Sequence, residues 1–186
     1  MYCVRNVTSD LYWVGANDHR LALFENCFPI PRGVSYNAYC LLDEKTVLFD
    51  TVDWSACRQL LENLNHVLAG RELDYLLINH LEPDHAACIE EILLRHPKVK
   101  VISNEKAFML MRQFGFHVDD HECIEVKEGG HLLLRQAHRH LCGRAYGSLA
   151  GGHGDPRRHR RRPLFRRRLR HLRRAGRQAV CRRGGL

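Results

Sequence analysis

Short apolar runs broken by polar turns fill the first third of the chain, and apolar positions at helical spacing alternate with them further on. "LYWVG" (11–15) and "LALFE" (21–25) have the composition of strands, separated by a turn at "ANDH". "SYNAYCLLD" (35–43) and "KTVLFDTV" (45–52) flank the polar "DEK" and predict a hairpin. In "WSACRQLLENLNHVL" (54–68), Leu60, Leu61, Leu64 and Leu68 recur at helical spacing, with Asp53 placed to cap the helix and Gly70 to end it. Next come a strand "LDYLLIN" (73–79), a helix "AACIEEILLRH" (86–96), a strand "VKVIS" (99–103), a helix "EKAFMLMRQF" (105–114) and a strand "ECIEVKEG" (122–129). Strands that pair early and then alternate with helices predict an α/β sandwich, two sheets with helices outside. After Gly129 the periodicity vanishes, and "RRHRRRPLFRRRLRHLRR" is neither a helix face nor a strand.

Charge divides the chain at the same place. Residues 1–129 hold 12 Lys plus Arg against 20 Asp plus Glu, a net −8, whereas residues 130–186 hold 17 Arg, no Lys and the single acid Asp155, a net +16. The overall +8 belongs to the tail alone. No apolar run is long enough for a membrane span and no signal-peptide pattern opens the chain, so a cytoplasmic protein is expected. The eight cysteines are scattered singly, which predicts reduced, mostly buried thiols.

The densest chemistry is "HLEPDH" (80–85), directly after an apolar strand. Ends of strands in open α/β sheets are where ligands usually bind. His80, Glu82, Asp84 and His85 offer two imidazoles and two carboxylates. An extended loop would send His80, Glu82 and Asp84 to one side, Pro83 stiffening the turn and His85 serving a neighbouring centre. Mixed N/O donors suit Fe, Mn or Zn, and the carboxylate excess shifts the preference toward Fe or Mn. The bland alternative makes Asp84 a helix cap. His19, His66, His96, His117 and His121 stand alone and predict structural or surface roles. Asp50, ending "VLFD", is either a turn residue or a group that orients a ligand histidine.

H-x-E-x-D-H after a strand, together with the upstream "LFDT" and "PRGVSYNAYCLLDEKTVLFDTVD", resembles the metallo-β-lactamase fold in its flavodiiron variant. The resemblance covers nearly all of residues 8–129. It implies an αββα sandwich, of which residues 1–129 would form an incomplete N-terminal half. It further implies two iron ions reducing O2 or NO with electrons from FMN in a following flavodoxin-like domain, itself fed by a rubredoxin-like or flavin donor, in a homo-oligomer. By that pattern His80 and Glu82 would bind one iron, and Asp84 and His85 the other, with no catalytic residue beyond the ligands. Hydrolases of this fold usually carry His where Glu82 stands, so Glu82 argues for redox chemistry over a Zn hydrolase.

The family's further ligands, set in segments resembling "APMVHWPE" and "LFSADAFG", are absent in register. The resemblance therefore predicts weak or absent iron binding and no turnover by this chain alone. One reading of the tail is a nucleic-acid arm, but it lacks Lys and aromatic interleaving, so no specific nucleic-acid binding is expected. The genetic code offers another reading. In a frame starting one base later, Tyr146-Gly147 permits ATG, Ser148-Leu149 permits CAC and Leu149-Ala150 permits TGG. Carried along, that frame permits "APMVHWPEVMVT" across Arg144 to Pro156 and "DATDGVLFSADAFGTFGAL" across Arg157 to Gly176. The expectation is that residues 130–186 are a disordered frameshift product arising at a run of G in the codons for Gly129-Gly130. Sequencing the gene from Lys127 to Leu134 and onward tests this. One G too many, followed by a family-like second frame, is expected; a written frame that stands with no such alternative removes the idea.

Overall fold

The computed structural model describes residues 2–126 and the backbone of two later strands, 131–134 and 139–142. Its order follows the predicted shift from strands to strand–helix alternation. The first half contains β1 (Arg5–Asn6), β2 (Leu11–Trp13), β3 (Ala16–Asp18), β4 (Leu23–Phe24), β5 (Phe28–Pro29), β6 (Val34–Tyr36), β7 (Tyr39–Leu42) and β8 (Thr46–Phe49). The second half runs α1 (Cys57–Leu68), β9 (Tyr75–Leu77), α2 (Pro83–Ala86), α3 (Ile89–Arg95), β10 (Lys100–Ser103), α4 (Glu105–Gln113) and β11 (Cys123–Glu125). The last pair, β12 (His131–Leu134) and β13 (Arg139–Cys142), forms an antiparallel hairpin. It lies within the start of the expected tail; the remainder of that tail, with its arginine runs, lies outside the described residues.

Seven strands make one mixed sheet in the order β1-β2-β7-β8-β9-β10-β11, antiparallel up to β8 and parallel from β8 onward. Side chains alternate between its faces. Cys40, Leu48, Leu76, Ile78 and Val101 pack with α1 (Leu60, Leu64, Val67, Leu68), α3 (Ile89, Ile92, Leu93) and α4 (Ala107, Phe108, Met111) in one core. Leu11, Trp13, Tyr39, Leu41, Val47 and Phe49 form a second cluster from the alternate positions. A sheet apolar on both faces is what a layered α/β sandwich needs. No helix among the described residues is long and apolar enough to cross a membrane.

Local chemistry sets the boundaries. Asp53 caps as expected, accepting a bond from the Ser55 amide, but the first turn is 3-10 (Trp54–Ala56) before α1 begins. Ala69 takes the left-handed conformation at φ 48°, and Gly70 follows at φ 89°, ending α1. The expected turn at "ANDH" is instead strand β3, paired with β6. Its Asp18 is buried, and the carboxylate accepts from the Arg20 amide at 2.7 Å and the Ser55 hydroxyl at 3.0 Å. Tertiary pairing overrides the turn preference of Asn and Asp. "LALFE" contributes only two strand residues, paired with β5. The helix expected over 86–96 is split into α2 and α3, because the Cys88 amide donates to Thr51 Oγ1 (3.3 Å) instead of continuing the helical ladder.

Asn63 fastens α1 to the sheet edge. Its buried amide donates to the carbonyls of Val14 and Gly15, both at 2.9 Å, and accepts from the Cys3 amide and from Gln59. Gly15 also lets the chain pass close to β6, since a Cβ there would sit 2.0 Å from the Tyr36 carbonyl oxygen. Asn63→Ala strands two buried carbonyls and is expected to cost roughly 2–4 kcal/mol in urea unfolding. Arg58→Ala, on the exposed side of the same helix, should leave the midpoint where it is.

Candidate metal centre

The parallel pairing of β8 with β9 (Phe49↔Leu77) brings two chain ends side by side: Asp50-Thr51 after β8 and Asn79-His80 after β9. Asp50 turns out of its strand at φ 56°, a left-handed conformation that Asp tolerates better than most residues. Its amide still donates to the Leu77 carbonyl (2.8 Å), while its carboxylate accepts from the Asn79 amide (2.8 Å) and the Asn79 side chain (2.9 Å). Thr51, fully buried, donates both its amide (2.8 Å) and its hydroxyl (2.7 Å) to the His85 carbonyl. Asp50 thus holds the beginning of "HLEPDH" and Thr51 holds its end.

Between those fixed ends the loop is not extended throughout. Pro83 takes the first helical position, where its fixed φ is favourable and its missing N–H is harmless, and Glu82 is the residue before it. Asp84 and His85 therefore sit on a helical turn, not on an alternating strand. Asp84 is not the cap of this helix; it lies in its first turn.

The structure brings all five predicted residues together. The His80 and His85 rings are 4.0 Å apart between centroids. His80 Nδ1 lies 3.4 Å from Glu82 Oε2, His85 Nε2 lies 3.4 Å from Asp84 Oδ2, and His85 Nδ1 lies 3.3 Å from Asp50 Oδ2. These are ion-pair distances and not well-aligned hydrogen bonds: His80 Nδ1, His85 Nδ1 and Asp84 Oδ1 are buried without a hydrogen-bond partner. Burial pushes the Asp84 carboxyl above its usual range despite both histidines, and pushes His80 down, helped by its neighbour His85. Burial pulls His85 down as well, but the Asp50 carboxylate outweighs it and holds the ring above its usual range.

Buried nitrogen and carboxylate donors with open lone pairs are a donor set that fits a divalent cation in kind. They lie as two His–carboxylate pairs; among the described residues no group of three or more His, Cys, Asp and Glu side chains is gathered to hold an ion unaided.

Thr51, Asn79 and Cys88 were not singled out by the sequence, although Thr51 stands in "LFDT" and Asn79 directly before His80. The isolated histidines take other roles. His66 stacks on Tyr2, His117 pairs with Glu90 and His121 faces the Val99 carbonyl. His96 ends α3, and His19 is exposed. Of the six described cysteines, all free, Cys3 and Cys27 are exposed, so burial of the thiols is less general than expected.

A family model described as "ODP family beta lactamase" matches residues 34–142. A nitric oxide reductase of Moorella thermoacetica is 36% identical over 129 residues, covering 69% of this chain and 32% of the relative. An anaerobic nitric oxide reductase flavorubredoxin of Klebsiella pneumoniae is 35% identical over 136 residues, covering 69% and 28%. Among solved structures, the rubredoxin oxygen:oxidoreductase of Desulfovibrio gigas superposes with a TM-score of 0.65 at 32% identity, over 70% of this chain and 32% of that one. A flavoprotein from Thermotoga maritima gives 0.64 at 25% identity, covering 71% and 33%. The chain thus spans about a third of the length of these proteins.

Thr51→Val keeps the shape and removes the hydroxyl that Cys88 and His85 share. Hydrogen exchange at the Cys88 amide should speed up and unfolding stability fall by roughly 1–3 kcal/mol. Unchanged exchange would show that the hydroxyl does not hold the loop.

Proposed function

Because the chain belongs to the ODP beta-lactamase family, with the metallo-β-lactamase-like fold of flavodiiron proteins, we propose that "HLEPDH" supplies part of a non-haem di-iron centre for reducing NO or O2. The observation that carries this is the cluster itself: two His–carboxylate pairs at the strand ends, with three buried polar atoms unpartnered. His80 and Glu82 would hold one iron, Asp84 and His85 the other. Iron would supply two adjacent redox ions with open positions for a diatomic. Glu82 and Asp84 supply the anionic oxygen that favours iron over zinc. Asp50, with Oδ2 3.3 Å from His85 Nδ1, is placed to orient that ring, and Thr51 fixes the backbone beneath it. Electrons would come through FMN from a rubredoxin-like donor, in a cytoplasmic setting that the free cysteines suit.

Two pairs are about half of what two iron ions require. Activity therefore needs further donors and a flavin module beyond His80–His85, and the frameshift reading of residues 130–186 is our account of where their text lies. On this reading the 186 residues bind iron weakly and turn over neither gas alone. Anaerobic Fe(II) titration of the purified chain is expected to show fewer than two weakly held ions, lost in the His80→Ala/His85→Ala variant. The protein expressed from the corrected frame should consume NO or O2 with reduced rubredoxin. Preferential Zn binding with hydrolase activity would sink the redox assignment, and tight binding of two irons by the chain as written would sink the half-site reading.

A further inference from the structure

The Asp50 carboxylate faces two side chains, Asn79 and His85, and they hold it unequally. Asn79 binds both of its oxygens: the Asn79 amide donates to Oδ1 at 2.8 Å, and Asn79 Nδ2 donates to Oδ2 at 2.9 Å. His85 Nδ1 lies further off, 3.3 Å from the same Oδ2, and makes no aligned hydrogen bond. The short contacts therefore set where the carboxylate points, and the ring meets it there.

Both bonds from Asn79 are needed to fix the plane of the carboxylate. The Asp50 backbone is set by its left-handed turn and by its amide bond to Leu77, so only rotation about the side-chain bonds remains. A single bond to Oδ1 would act as a pivot, around which Oδ2 could swing away from His85. The bond from the Asn79 carboxamide closes that rotation. Asp50 is buried, so its oxygens cannot readily exchange these donors for water. Asn79 is also a firm base, because its neighbour Ile78 is tied to the next strand by both main-chain groups. The Ile78 amide donates to the Ile102 carbonyl at 3.0 Å, and the Ile78 carbonyl accepts from the Ser103 hydroxyl at 2.8 Å. Residue type matters here: any non-proline residue supplies the main-chain amide, but the second bond needs a side-chain donor at this reach. An aspartate of the same shape would set oxygen against oxygen.

We propose that Asn79 is a positioning residue: its carboxamide fixes the Asp50 carboxylate and, through it, the His85 ring. The contacts run from the end of β9 through Asn79 and Asp50 to a ring on α2. Thr51 holds the backbone of His85, and this relay holds its side chain. What the ring is held for rests on the metal reading above; that it is held does not.

In the full metal-free chain, long-range proton–nitrogen NMR correlations of the imidazoles report which ring nitrogen carries the proton, with His85→Gln marking the signals of this ring. At a pH where the ring is neutral, wild type is expected to show His85 predominantly protonated on Nδ1, facing Asp50. Asn79→Leu should shift it toward a mixture of the two tautomers, as Asp50→Ala does, and combining the two should change nothing further than Asp50→Ala alone. Amide exchange at residue 79 should stay slow in Asn79→Leu, because the main-chain bond to Oδ1 remains. Asn79→Ala, milder at this half-buried position, serves if the leucine variant fails to fold. Unchanged His85 signals, or effects of the Asn79 and Asp50 substitutions that add, would overturn the proposal. So would loss of exchange protection at residue 79, which would make the carboxamide an anchor of the loop instead. Anaerobic Fe(II) titration separates this inference from the reading it rests on: affinity should fall about tenfold in Asn79→Leu. A shifted ring with no iron bound by any variant would remove the metal reading and leave the relay standing.

Discussion

The grip of Asp50 and Thr51 on the two ends of residues 79–85 is the constraint on which the site depends. A loop holding two imidazoles and two carboxylates has every electrostatic reason to splay into water. Here it cannot, because Asp50 ties down Asn79 through two hydrogen bonds and Thr51 ties down the His85 carbonyl through two more. The left-handed turn at Asp50 makes both contacts available from adjacent residues, since it swings the carboxylate sideways while the Asp50 amide continues the ladder to β9.

Held in this way, the donors pay an electrostatic penalty that only a cation or a proton removes. Asp84 and His80 are each shifted toward their neutral forms by burial, and His85 remains protonatable because Asp50 faces it. The relatives name nitric oxide and oxygen as substrates of proteins about three times as long. In this chain each histidine of the loop lies beside one carboxylate, His80 by Glu82 and His85 by Asp84.

The same segment of backbone serves more than one purpose. Thr51 Oγ1 ends α2 by taking the Cys88 amide, and this break places the Cys88 sulfur against the carbonyls that precede α1. The loop, the start of α1 and the start of α3 are thereby one hydrogen-bonded unit at the end of β8 and β9.

The cluster of two imidazoles and two carboxylates was legible in six consecutive residues, because side-chain type is read directly from the sequence. Their place after a buried strand was legible from apolar runs, as were the β7–β8 hairpin, α1, α4 and the Asp53 cap, all governed by neighbours within a few positions. The strand at "ANDH" was not, since pairing with β6 overrode local turn preference. Nor were the roles of Thr51, Asn79 and Cys88. Their partners lie 34, 29 and 37 residues away along the chain. The parallel register of β8 against β9 sets which distant residues meet, and no local pattern encodes that register. Sequence alone determined what could bind; tertiary structure decided how it is held, because hydrogen bonds across strands depend on distances in space.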